Sequence, residues 1–547
     1  MNEQTKRWAK LVAILMALAM LAAACGGGDD DSGDDDADTD DSTQQDESSG
    51  DDDQGDDASD DEMSDDVDDG ASGALVVGRA ADLDILDPHL ATAFSSVQSL
   101  ELVYDTLLSL DPDLAVVPGL AESWEFSDDG LTLTMTLREG VQFHSGDTFD
   151  SEDAAASLNR ILDEETGAVT RSNIASIESV DAPDATTLVL NLSQADAPIL
   201  ASLADPNAAM LSATAIEAGT VDTTPDGTGP FAWEEWQQGE ALTLTANADH
   251  WRGAPQVSTV EMRVIPDEAS LLAAVDVGEI NLAIITDPLV AVQAGGDVEV
   301  QRTPALAYHA LMLNSTRGPL AEQAVRQAIS CAIDRQAVVD SAALGEGEVT
   351  GPLTIPAYQS PADGLPCGGQ QDIEEAKRLL DEAGFGDGFE LNTVVPSAIF
   401  ASAVDEAQVL QAQLGEIGIT LEIETLETDV YVDRWLAADF DAAVALNSGK
   451  VDPHQMYVRY WTSDGNLNGV ASYSSDTLDE LMEAGRVETD QAARVAIYND
   501  FSAALQEASP WIWIYHGFEY RMLNGVENFT SMPTGSLQYL REASLAG

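Results

Sequence analysis

The chain has 547 residues, of which 99 are acidic and 22 basic, for a formal net charge of −77. So acidic a chain lacks the basic footprint that nucleic acid requires, and charge gives it no attraction to anionic lipid. Solubility, including in high salt, is the direct consequence of such a charge.

Lys6, Arg7 and Lys10 precede an uncharged apolar run from Leu11 to Ala24. The run is shorter than the roughly 20 residues a spanning helix needs, and small residues follow it, which is the secretory pattern. Residues 1–24 are therefore expected to be a signal peptide. Leu21-Ala22-Ala23-Ala24-Cys25 is similar to a bacterial lipobox, whose cysteine carries lipid and becomes the mature N-terminus. The usual Leu three places before the cysteine is Ala22 here, and ordinary cleavage after Ala-x-Ala is the other reading. Residues 29–70 hold 23 acidic residues and no basic one. Such a segment cannot offset its ordering entropy and repels itself, so residues 25–73 are expected to form an acidic, disordered tether. The spacing of a calcium-binding loop is absent from it. No later segment is apolar and long enough to span a membrane.

The remaining 475 or so residues exceed a single core and imply two or three lobes. Ala74 to Arg79 reads as a strand and Ser99 to Leu108 as a helix. Trp124 to Arg138 reads as a hairpin: Leu131, Leu133, Met135 and Leu137 alternate with threonines, and Asp128-Asp129-Gly130 marks the turn. Asp150 to Ile161 is predicted helical, capped by Asp150 or Ser151. Thr187 to Leu192 and Ala241 to Ala246 alternate as strands. Ala324 to Val339 places Val325, Ala328, Ile329, Ala332 and Ile333 on one helical face. Asp372-x-x-Glu375 reads as a capping box, with Gly384 at the helix end. Gln408 to Glu416 is predicted helical, Ile419 to Leu426 a strand, Asp490 to Ala508 a long helix, and Trp511 to Tyr515 an apolar run after it. Interleaved strands and helices predict α/β lobes. Beyond Cys25 only Cys331 and Cys367 remain. In an oxidising compartment they are expected to pair, the alternative being one buried thiol and one loop thiol.

Several segments then form an ordered set: Leu86-Asp87-Pro88-His89, Pro118 to Trp124, Leu137 to Gly146, Ser151-Glu152-Asp153, Gly227-Thr228-Gly229-Pro230-Phe231, Asn247 to Trp251, Gly278 to Asn281, Val325 to Arg335, and Leu379 to Gly384. Their kinds and order resemble the family 5 extracellular solute-binding proteins, the peptide- and nickel-binding components of ABC importers. Physically they read as fold determinants. Arg326 and Asp334 are read as a helix-surface pair or a tie between lobes. The resemblance implies a periplasmic-binding-protein-like type II fold: two α/β lobes with a hinge, and a third, smaller lobe. Lobe I would comprise 74–110, 213–305 and 510–547, the added lobe 111–212, and lobe II 306–509. A ligand would sit between lobes that close around it. The partners implied are a small molecule or peptide, ABC permease subunits, and the membrane through Cys25. A monomer on the outer face of the cytoplasmic membrane is expected, with no cofactor and no resident metal.

Peptide-binding members carry an aspartate, in a Trp-x-x-Asp-x-x-x-Pro stretch, that pairs with the peptide's α-amino group. Alignment on Pro453 puts Gly449 at that aspartate and Leu446 at the tryptophan. Asp452 could substitute, or Lys450 could meet an anionic ligand; alternatively these two pair with each other or face solvent. Phe94, Ser95, Tyr308, His309, Asn447 and Trp461 complete the expected ligand-binding set by position in the family pattern. Catalysis is not expected. The six histidines are scattered, and no zinc spacing, Gly-x-Ser-x-Gly elbow or phosphate-cradling loop is present.

Overall fold

The computed structural model describes residues 73–546. The apolar leader, Cys25 and the acidic tract up to residue 72 lie outside the described residues.

Alternation becomes strand wherever one face is buried. In Thr132–Leu137, Leu133, Met135 and Leu137 are buried while the threonines stay at least partly exposed. This strand pairs with Ala121–Phe126, and Gly130, at φ 69°, makes the turn between them. Thr187–Leu192 and Ile177–Asp184 complete an antiparallel four-stranded sheet.

The main sheet has 11 strands. Its order from one edge is Ile419–Leu426, Phe389–Pro396, Ala442–Asn447, Glu299–Leu313, Trp511–Leu523, Leu282–Ile285, Ala74–Arg79, Thr259–Val264, Ala241–Ala246 and Phe231–Gln237, with Glu348–Val349 added on Trp511–Leu523. Glu299–Leu313 and Trp511–Leu523 run antiparallel and cross from one half to the other. At one end the second of them pairs with Leu282–Ile285, and at the other end the first pairs with Ala442–Asn447. The half around Ala442–Asn447 is a three-layer sandwich. Ala443 and Ala445 join an apolar cluster with Tyr431, Tyr457 and Tyr498, whereas Ala442 and Val444 join Val325, Val338 and Leu410. Strand residues thus serve helices on both faces, as their continuous apolar runs require.

Three expected elements differ. The helix placed at Ser99–Leu108 is Phe94–Leu100. Beyond it Val103 and Tyr104 both donate to Leu100 O, and the chain turns toward the strand Leu108–Leu110. Distant partners decide this: Glu101 accepts from Ser536 and Leu537, and Asp105 from Trp251 and Thr228. The Gly-Thr-Gly-Pro segment packs here, where a Cβ at Gly227 would sit 2.0 Å from Val103 O. The helix placed at Ala324–Val339 breaks into Gln323–Ala332 and Arg335–Ala342. Asp334 caps the second through Ala337 N–H at 3.0 Å, and Arg335 Nε donates to Trp513 O at 2.8 Å. Arg326 and Asp334 do not pair, because Arg326 donates to Ala508 O. The helix placed at Gln408–Glu416 starts at Ala403 and ends at Gly415. Asp372 caps Ile373–Glu382 through Glu375 N–H, but the Glu375 carboxylate turns to Arg378 instead of closing the box.

Cys331 and Cys367 are joined by a disulfide with a Cα–Cα distance of 5.4 Å. Closing a loop of 36 residues of separation restricts the unfolded chain by about 4 kcal/mol in the entropic account. A Cys331→Ser/Cys367→Ser chain is expected to lose up to about that much in urea denaturation; an unchanged midpoint would contradict it.

His89 ties the Leu-Asp-Pro-His segment to the helix Ser151–Leu162. Its Nε2 lies 2.9 Å from Ala209 O and its Nδ1 2.8 Å from Arg160 Nη1, while Arg160 also pairs with Asp87. Burial, and behind it the Arg160 charge, pushes the imidazole down to about 4. An unfolded histidine titrates near 6.5. Between these values only the unfolded chain takes up the proton, so stability is full above about pH 6.5 and falls toward pH 4, by at most about 3 kcal/mol. His89→Gln should flatten that part of the pH–stability curve, measured as the urea midpoint at several pH values.

Candidate functional site

The two crossover strands keep register from Glu299 to Pro304 and resume it at Tyr308, leaving Ala305, Leu306 and Ala307 unpaired with the second strand. A second shift falls between His309 and Ala310. The halves of the main sheet join at this gap. Thr354 Oγ1 donates to Leu306 O at 2.6 Å. Gly449 rests on the same residue: a Cβ there would lie 2.3 Å from Leu306 Cβ and 2.4 Å from Leu306 O. The position where relatives of the resemblance carry aspartate has no room here for a side chain.

Strand pairing brings Tyr308 opposite Asn447 and His309 opposite Leu446. On the Tyr308 face, Asn447 Oδ1 accepts from Tyr460 at 3.4 Å, and Asn447 Nδ2 has no partner among the described residues. Trp461 is fully buried, its ring 4.7 Å from Trp511 and 6.3 Å from Trp513, and its Nε1 also lacks a partner. Burial holds the Tyr308 phenol far above its usual range, so it stays a neutral donor. On the other face, His309 stacks on Tyr515 at 4.1 Å and meets the edge of Phe400 at 5.1 Å. His309 Nδ1 is 2.8 Å from Glu406 Oε1, which also accepts from Ser402 and Tyr515 at 2.6 and 2.7 Å. Burial and then the Glu406 carboxylate push the Tyr515 phenol up.

Asp452 is buried and engaged. Arg494 grips it with two bonds of 2.6 and 3.0 Å, and it caps the helix Pro453–Trp461 through His454 N–H. Burial alone would lower the Arg494 value, and Asp452 raises it beyond the ordinary one. Lys450 stays exposed. Burial pushes the Asp205 carboxyl up, and the Asn207 N–H and then the Lys450 charge pull it back. Phe94 and Ser95 sit in the other half: Phe94 is 47% exposed and lies over Gly535, and Ser95 donates to Asp82 O while its carbonyl accepts from Arg79. Tyr308, His309, Asn447 and the approach to Lys450 therefore come together at the gap. Trp461 and Asp452 stand behind them, and Phe94 and Ser95 belong to a separate group. Glu406, Tyr515, Phe400 and Arg494 were not expected; only the apolar run at Trp511 pointed toward Tyr515.

These groups offer aromatic surface, a carboxamide and a carboxylate-backed imidazole, the usual lining of a small-molecule cleft. Among the described residues no group of three His, Cys, Asp or Glu could hold a metal ion. Removing Arg494's charge (Arg494→Met) leaves Asp452 buried and unpaired and should cost about 3–5 kcal/mol. Gly449→Ala should cost about 1–3 kcal/mol through overpacking on Leu306. Both are read as urea midpoints, and unchanged values would contradict the geometry.

A family profile described as bacterial extracellular solute-binding proteins, family 5 middle, matches residues 115–469. Glutathione-binding protein GsiB of Escherichia coli K12 is 26% identical over 465 residues, covering 81% of this chain and 88% of that protein. Heme-binding protein A of Haemophilus influenzae is 26% identical over 476 residues, covering 80% and 86%. The structure of DppA from Helicobacter pylori in complex with the peptide STSA superposes with a TM-score of 0.67 at 25% identity, covering 87% of this chain and 99% of the other. With the profile spanning well over half its length, this chain belongs to the family 5 bacterial extracellular solute-binding proteins.

Proposed function

We propose that this chain captures a peptide or peptide-like solute at the gap between its sheet halves and delivers it to an ABC permease. The observation that carries this reading is the junction itself. Among the described residues two strands cross between the halves of the main sheet, their pairing lapses at Ala305–Ala307, and Asn447 Nδ2 is left without a partner beside an aromatic wall. A buried donor of that kind is costly unless a ligand or water satisfies it. Tyr308, His309, Asn447 and Lys450 are the proposed contacts, and Asp452 and Trp461 hold them from behind. The lobes follow the division 74–110 with 213–305 and 510–547, 111–212, and 306–509. Cys25 anchors the chain by lipid to the outer face of the membrane, and the chain acts as a monomer without catalysis. No helix among the described residues is long and apolar enough to cross a membrane.

Gly449 supports a narrower ligand class. With no side chain there, a free α-ammonium finds no carboxylate at that point. One relative is named for heme, a solute with no α-ammonium group, which fits this reading. A thermal-shift screen of glutathione, di- to pentapeptides, opines, sugars and metal chelates should give one class that raises the melting temperature, by mass action on the folded state. Asn447→Ala should remove that shift while leaving the ligand-free melting temperature within a few degrees. No shift with any member would overturn the reading.

A further inference from the structure

The four-stranded sheet shares no strand pairing with the main sheet. The segment that follows its strand Thr187–Leu192 nevertheless touches the helices Pro453–Trp461 and Asp476–Val487 at several points. Arg486 clamps it from two sides: its guanidinium donates to Ala195 O, and its carbonyl accepts from Ala197 N–H at 2.8 Å. Glu483 holds that guanidinium in place with bonds of 2.6 and 2.9 Å. Gln455 Nε2 donates to Ser202 Oγ at 2.7 Å. The row thus bridges the added lobe and the half carrying Asn447.

The rungs are hydrogen bonds, one between backbone groups and the others from the part-buried side chains of Arg486 and Gln455, each of modest net strength. We propose that they form a polar latch, which holds the two bodies together before any solute arrives and so sets the resting balance between closed and open forms. A chain whose competent form is only partly populated binds with its affinity reduced by that fraction, so latch strength tunes affinity for every solute alike. This takes the cleft as the solute site, as proposed above. Its test needs no solute, so its failure leaves that reading standing.

The test is hydrogen exchange followed by mass spectrometry on the full chain without ligand. Arg486→Ala is expected to speed exchange about tenfold across 195–203 and 450–458, on both faces of the row. Thr187–Leu192 and Trp511–Ile514 should exchange as before, which shows that the chain is folded. Gln455→Ala, which removes one rung from a helix surface, should act in the same direction with smaller amplitude and serves if Arg486→Ala fails to fold. A Ser202→Cys/Gln455→Cys chain, once oxidised, should exchange more slowly at both faces than its reduced form. Unchanged exchange at 195–203 and 450–458 in folded single variants would overturn the latch, as would equal exchange in the oxidised and reduced double variant.

Discussion

The pairing of Glu299–Leu313 with Trp511–Leu523 is the interaction on which the rest depends. Among the described residues these two strands are the ones common to both halves of the main sheet, and their ladder is the backbone connection between them. A ladder of backbone bonds is stiff, yet this one lapses over three residues at the junction. Around the lapse the chain adds specific braces: Thr354 on Leu306 O, and Gly449 in close contact with the same residue. The lapse is confined to one point, and the groups proposed to read a solute stand there.

A strongly acidic chain has few cations, and it places several of them inside. Arg335 and Arg521 are almost fully buried and donate to main-chain carbonyls, Trp513 O and Gly535 O. Arg326 does the same to Ala508 O. Arg494 and Arg160 grip buried carboxylates. Burial lowers the values of Arg335, Arg521 and Arg326, but a guanidinium remains charged far above neutrality, and its planar fork suits carbonyl pairs. These arginines act as internal ties, while others, such as Arg378 and Arg171, pair with surface acids.

Local rules were readable wherever the partner was local. The threonine–leucine alternation at Thr132–Leu137, the caps at Asp150 and Asp372, and the strand Ile419–Leu426 all depend on neighbours within a few residues. The ordered motifs carried the family because they fix turns and close packing, as Gly227 does against Val103. What escaped reading depends on distant partners. The break at Asp334 exists because Arg335 reaches a strand 178 positions away, and the helix after Leu100 ends because Glu101 and Asp105 are held by residues far along the chain. Asp452 looked free until Arg494 closed on it. Glu406 under His309 had no local mark among 99 acidic residues.

Lysine scarcity has a consequence of its own. After the leader, the chain contains only Lys377 and Lys450. One lies in the helix Ile373–Glu382 beside the disulfide loop, and the other just past Asn447 at the junction of the halves. One of the two lysine amines of the described body therefore stands beside the proposed solute site. With Lys377 replaced by arginine, amine coupling would place a fluorophore at Lys450, beside the site proposed above.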